Sequence, residues 1–317
     1  MPSAGELILQ NSTNEIDNPK YITRSDKEWA HEYAGIENIL LHTTPGYGGN
    51  TVHATFDSAF LPLDDDEERR MTEPANPPNE RSWRLETEAD VEHWWHTEVS
   101  DVVLAAWARY PGIVQTCHTK PLSDVNIPEN VDATYAIYIG NQRKPVVIGE
   151  MKRNLINRRE WEAGNVTSSQ QKLARELRGY ADRYECPQMF CWDGETLLML
   201  QFRATSPWDI RRADCAVDCW VIPITKSTCS LRYALYRLLV QGFRRCQAAA
   251  AARPIQVGSF TEHGREFFTG RLIWNVGGRL TTEHPEGYVR RVDGATGALY
   301  WSNGMGNHVV WETGGFW

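Results

Sequence analysis

The run PVVIGEMKR ends an apolar stretch with an acid and a lysine two residues apart, Glu150 and Lys152. Strand side chains alternate between faces, so a strand here projects both groups together with Val146 and Ile148. Eighteen residues before Glu150, a second strand-like segment, NVDATYAIYIG, carries Asp132 on one side with Thr134, Ala136 and Tyr138. The turn-forming GNQRKP joins the two as a hairpin. Carboxylates of this kind hold hard dications such as Mg²⁺. An ammonium beside them orients water or stabilises negative charge that develops in a transition state.

The flanking segments must position these groups. Upstream, ETEADVEHWWHTEVSDVVLAAWARYP is helical in pattern, with Thr87 as N-cap, Pro111 as stop, and Val91, Trp95, Val102 and Ala106 on one apolar face. Glu98 falls inside that stripe. A carboxylate there needs a partner, because an unpaired buried charge costs several kcal/mol or raises its own pKa; a salt bridge and a site role both answer that need. His93 and His96 have metal-compatible spacing but no completing ligands, and read as helix-surface histidines. Downstream, TSSQQKLARELRGYADRYEC places Leu173, Ala174, Leu177, Ala181 and Tyr184 on one face, with Gln170 on that face near the helix start. Between positions 143 and 183 ten basic residues stand against five acidic ones. Arg153, Arg158 and Arg159 sit just past the Glu150 strand, where a phosphate backbone would approach; a solvated helix face is the alternative.

The order of these parts is a helix bearing Glu98, a hairpin carrying Asp132 and then Glu150-Met151-Lys152, and a second helix. It resembles the PD-(D/E)XK nuclease superfamily of restriction-endonuclease-like folds, and looks closest to the PD-(D/E)XK-like domains of fungal proteins. The resemblance spans approximately residues 86–247, with Pro128 four residues before Asp132 rather than adjacent to it. It implies an α/β (α+β) core, a mixed sheet flanked by helices, and a divalent-metal-dependent nuclease hydrolysing phosphodiester bonds of DNA or RNA. It further implies Mg²⁺ or Mn²⁺ as cofactor, held by Asp132 and Glu150 with Glu98 as a further ligand. Lys152 would act on the water or the phosphate, and Gln170, with Tyr180, would support the catalytic set. The alternative is a catalytically inactive member of the same scaffold, an effector or interaction module that binds nucleic acid or protein.

The 317 residues divide on composition into three parts. Residues 1–80 read as a flexible leader and acidic, proline-rich linker, 81–250 as the nuclease-like domain, and 251–317 as an aromatic, glycine-rich antiparallel β appendage packed on the core. A net charge of −8 argues against indiscriminate coating of nucleic acid, though not against a local basic groove. Seven cysteines, an odd number without a signal-peptide pattern, predict reduced, buried thiols in the nucleus or cytoplasm. No window approaches 18 uninterrupted apolar residues, so no membrane span is expected.

Overall fold

The computed structural model describes residues 1–46, 51–61, 69–108, 112–121, 130–139, 141–251, 253–304 and 309–315. Its β-branched and aromatic runs assemble into one seven-stranded mixed sheet. The strands are β1 (Ile39–Leu41), β2 (Val114–Thr119), β3 (Val131–Ile139), β4 (Gln142–Met151), β5 (Gln188–Trp192), β6 (Thr196–Phe202) and β7 (Val217–Pro223), in the order β1-β7-β6-β5-β4-β3-β2. β2, β3 and β4 form an antiparallel meander, and β5 lies parallel to β4. A parallel neighbour needs a crossover. The long helix Ser168–Arg183 supplies it.

Five helices matter to the site: α1 (Ala4–Ile8), α2 (Glu88–Trp95), α3 (Arg158–Glu162), α4 (Ser168–Arg183) and α5 (Leu231–Ala250). The Thr87 hydroxyl accepts the Asp90 N–H while the Asp90 carboxylate accepts the Thr87 N–H, which fixes where α2 begins. Beyond Trp95 the helix continues through a π turn, His96–Ser100, into Asp101–Leu104.

Strand alternation sorts the core into two layers. Phe190, Trp192, Leu197 and Met199 face α2 and α5, whereas Met189, Cys191, Leu198 and Leu200 face α4. Trp95 stacks on Phe190 at 4.7 Å between centroids and Trp94 on Trp192 at 5.1 Å. Each such fully buried side chain contributes roughly 1.5–3 kcal/mol. Gly242 lets α5 lie against β4, since a Cβ there would stand 2.1 Å from the Val146 carbonyl oxygen.

The amino-terminal residues correct an expectation. Residues 1–61 are not a flexible leader where they are described: Ala4, Ile8, Phe56 and Phe60 belong to the core, and Ile39–Leu41 pairs with β7. Their apolar groups are short clusters whose partners lie far along the chain, so no local periodicity betrays them. Most of the acidic stretch, residues 62–68, and Pro128 lie outside the described residues. The carboxyl-terminal region is antiparallel β as expected, with two three-stranded sheets and a small core of Val257, Leu272, Trp274 and Trp301. It is fastened to α5 by Arg265 Nη1 donating to the Ala248 carbonyl at 2.8 Å and Gln247 Nε2 donating to the Gly297 carbonyl at 3.0 Å. Six of the seven cysteines are buried and Cys117 is exposed, all with free thiols. Among the described residues, no helix is long and apolar enough to cross a membrane.

Candidate active site

The β3–β4 ladder pairs Ala133 with Gly149 and Thr134 with Ile148, and one step further sets Asp132 opposite Glu150. Directly opposed residues share a face of the sheet. Asp132 Oδ2 accepts the Met151 N–H at 2.6 Å, which closes the end of the ladder. The Lys152 N–H donates to the Trp192 carbonyl at 2.9 Å, so pairing with β5 extends past Met151 and keeps Lys152 on the side of Glu150. Lys152 Nζ then lies 2.5 Å from Glu150 Oε1 and 3.1 Å from Glu176 Oε1 of α4. Ser25 donates its hydroxyl proton to the other Glu176 oxygen. Glu150 and Lys152 are only 4% and 3% exposed, and Glu150 Oε2 accepts no hydrogen bond among the described residues.

Burying charges this completely is costly unless every one is compensated. Burial pushes the Asp132 carboxyl up to about 6, against the pull of the Met151 N–H and of Lys152. Burial also holds the Glu150 carboxyl well above the ordinary range despite Lys152, and the nearby Asp132 and Glu176 add to the rise. For Lys152 burial opposes the charge, but Glu150 and Glu176 outweigh it and keep the ammonium protonated. Three carboxylates therefore surround one ammonium. A proton or a second cation relieves the excess.

The structure does not bring Glu98 to this group. Its Oε1 accepts from Trp83 Nε1 and Asn14 Nδ2, both at 2.8 Å, and its Oε2 accepts from Ser12 Oγ at 2.6 Å with Arg232 Nη2 at 3.9 Å. A carboxylate with both oxygens so engaged ties the amino-terminal segment to α2, and the metal-ligand expectation for it is corrected. Gln170 is likewise structural: its Oε1 accepts from the Asn157 N–H and Trp161 Nε1, and its Nε2 donates to the Leu155 carbonyl at 2.8 Å. That holds the segment after β4 against α4. The residue of α4 that does reach the site is Glu176, a carboxylate within the apolar stripe between Leu173 and Tyr180. As for Glu98, a carboxylate inside an apolar helix stripe needs a partner, and that was the available signal.

The three arginines after β4 do not form one exposed basic face. Arg153 is buried and donates to the Leu85 carbonyl at 3.1 Å, which corrects its placement at a phosphate-facing surface. Arg158 pairs with Glu162 of its own helix at 2.5 Å. Arg159 is exposed and forms no ion pair among the described residues.

A second group at the same rim went unread in the sequence. Glu92 of α2, rather than Glu98, is the helix carboxylate near Asp132: Glu92 Oε2 lies 3.3 Å from His118 Nε2, and His118 Nδ1 lies 3.6 Å from Asp132 Oδ1. Glu92 Oε1 is 3.3 Å from His96 Nε2, which is also 3.3 Å from Cys117 Sγ. His96 is thus part of a polar cluster, not a plain surface residue, while His93 is exposed. The i, i+4 spacing of Glu92 and His96 was the available signal. No protein-family model matches this chain, and a search of curated proteins finds no match.

Proposed function

We propose that this protein is a divalent-metal-dependent hydrolase of phosphodiester bonds, a nuclease of the PD-(D/E)XK type acting on DNA or RNA. One observation carries the reading: two carboxylates set opposite each other at a strand end, one with a buried oxygen that accepts no hydrogen bond among the described residues, beside a lysine ammonium. The donor set is all oxygen, from Asp132 and Glu150, and fits a hard dication such as Mg²⁺ or Mn²⁺. Such an ion, when bound, polarises a phosphoryl oxygen and lowers the pKa of its water.

The protein's own groups do the rest. Asp132 is oriented by the Met151 N–H. Lys152, held between Glu150 and Glu176, keeps its protons and presents positive charge to the phosphoryl oxygens or the attacking water. Glu176 positions the lysine and is itself fixed by Ser25. Substrate approach is from the Asp132 rim, since Glu150 and Lys152 are covered.

That cover favours a second reading, a non-catalytic binding module on the same scaffold. Thr23 exchanges backbone and side-chain hydrogen bonds with Arg153, at 3.0 and 2.9 Å, so residues 23–25 strap the end of β4 to α4. Labelled single- and double-stranded DNA and RNA, incubated with Mg²⁺, Mn²⁺ or EDTA, separate the two. The hydrolase reading predicts metal-dependent cleavage lost in Glu150→Gln and Asp132→Asn. Equal cleavage in both variants removes the mechanism, and salt-sensitive binding without cleavage establishes the second reading.

A further inference from the structure

The rim beside the buried carboxylates holds donors of a different chemical character. Glu92 from α2, His118 from β2 and Asp132 from β3 each offer one ligand atom, and these atoms all lie within 4.8 Å of one another. The geometry points to a second cation site here, taking a borderline transition-metal dication of the Zn²⁺ or Co²⁺ class through Glu92, His118 and Asp132.

Several features favour a metal over a simple ion-pair cluster. An imidazole and two carboxylates from three separate elements make a mixed nitrogen and oxygen set, which suits Zn²⁺ or Co²⁺, whereas Mg²⁺ dehydrates reluctantly and prefers oxygen alone. Tetrahedral ligands about 2.0–2.1 Å from an ion stand about 3.3 Å apart. An imidazole gives one nitrogen to an ion: His118 Nε2 is already 3.3 Å from Glu92 Oε2, and with one atom taken from each side chain the set of three lies within 4.8 Å, so the Asp132 carboxylate closes the remaining gap. Three protein ligands with one side open is the arrangement of a catalytic rather than a structural zinc site, and the His118 side chain is 57% exposed.

The surroundings support the same assignment. Glu92 is oriented by His96, whose Nδ1 accepts from Gln115 Nε2 and whose Nε2 faces the Glu92 oxygen, the kind of outer contact that orients metal ligands. Glu150, nine-tenths buried, opposite Asp132 in the ladder and electrostatically coupled to it, has an oxygen without a hydrogen-bond partner among the described residues. A cation on Asp132 would relieve the crowding of carboxyl groups there. Successive strand residues should point to opposite faces, yet the Cys117 and His118 side chains both belong to groups that include Glu92. The left-handed backbone of His118, φ 51°, reconciles the two.

This inference does not depend on nuclease activity, and its test reads metal binding directly. The full-length protein, stripped with EDTA and dialysed, is titrated with Co²⁺ and Zn²⁺, following Co²⁺ visible absorption and calorimetric heats. One equivalent is expected, with affinity weakened at least about tenfold in His118→Ala and Glu92→Gln and unchanged in His93→Ala. His118→Gly, which adopts the left-handed backbone without strain, should show the same loss. A Zn²⁺-induced rise in melting temperature should be absent from the same variants. Absence of Co²⁺ and Zn²⁺ uptake, or uptake that survives in all three ligand variants, overturns the site. A thiolate-to-cobalt band removed by Cys117→Ser also overturns it, placing the ion on Glu92, His96 and Cys117 instead. Mg²⁺-supported cleavage in a protein that takes up neither ion would leave the hydrolase reading standing and remove this one alone.

Discussion

Glu98 and Glu150 are both buried carboxylates beside a cationic side chain, and the molecule treats them in opposite ways. Glu98 receives hydrogen bonds from Ser12, Asn14 and Trp83, so its charge is spread over fixed donors. Glu150 has one oxygen on Lys152 and one with no hydrogen bond among the described residues, facing a neighbourhood that already contains Asp132 and Glu176. A satisfied buried charge holds a segment in place. An over-charged, under-bonded one stores a capacity for binding, because a cation gains there what solvent and donors do not supply.

The largest effect expected from breaking that contrast is at Lys152. Lys152→Met leaves Glu150 and Glu176 buried without their ammonium and should destabilise the fold by about 3–5 kcal/mol, measured by denaturant titration. Adding Glu150→Gln should recover part of the loss. If the single variant is as stable as the parent, the carboxylates do not depend on the lysine.

Glu98→Ala comes next. Removing the shared acceptor leaves buried donors unsatisfied at about 1–3 kcal/mol each, so a lower melting temperature is expected while Mg²⁺ affinity of the folded fraction stays unchanged. Loss of Mg²⁺ binding out of proportion to unfolding would return Glu98 to the site.

Asp132→Asn should act in the opposite direction. The folded protein holds the Asp132 proton more tightly than the unfolded chain, with a pKa of about 6 against an ordinary 3.8. The contribution of Asp132 to stability is therefore complete below about pH 4 and is lost as pH rises through about 6. At pH 7.5 the asparagine variant should be more stable than the parent by about 3 kcal/mol, with most of the difference gone at pH 4. A destabilised variant at pH 7.5 would mean that the carboxylate is fully compensated in the folded state.

The smallest effect is expected at Arg159, where alanine should leave stability within about 0.5 kcal/mol of the parent and lower the salt dependence of any nucleic-acid binding by about one charge. No change in that slope would remove Arg159 from the interface.

How much of this was legible in the sequence follows from the range of each signal. The hairpin and the shared placement of Glu150 and Lys152 follow from strand alternation, but Asp132 meets Glu150 only because a bulge between Tyr135 and Ala136 shifts the register by one residue, which no alternation pattern announces. The helix α4 follows from its apolar stripe. Gln170 and Glu98 were correctly read as facing the interior, but a helical wheel does not say which interior: one meets Trp161 and the other meets Ser12 and Asn14, partners fixed only by tertiary packing. The rim cluster was hidden for another reason. VQTCHT is a short edge strand whose alternation is broken at His118 by its left-handed backbone, so period-two reasoning places that imidazole on the wrong face. Arg153 looked solvent-facing because its carbonyl partner, Leu85, lies 68 residues away.

Whether Asp132 and Glu150 share one hard dication beside Lys152 is decided by calorimetric titration of the EDTA-stripped protein with Mg²⁺ in buffers of different ionisation enthalpy. Uptake of one ion is expected, accompanied by proton release near pH 6, lost in Glu150→Gln and Asp132→Asn and kept in Glu98→Ala. Absence of Mg²⁺ uptake even with an oligonucleotide present, or uptake that is the same in both carboxylate variants, would contradict it.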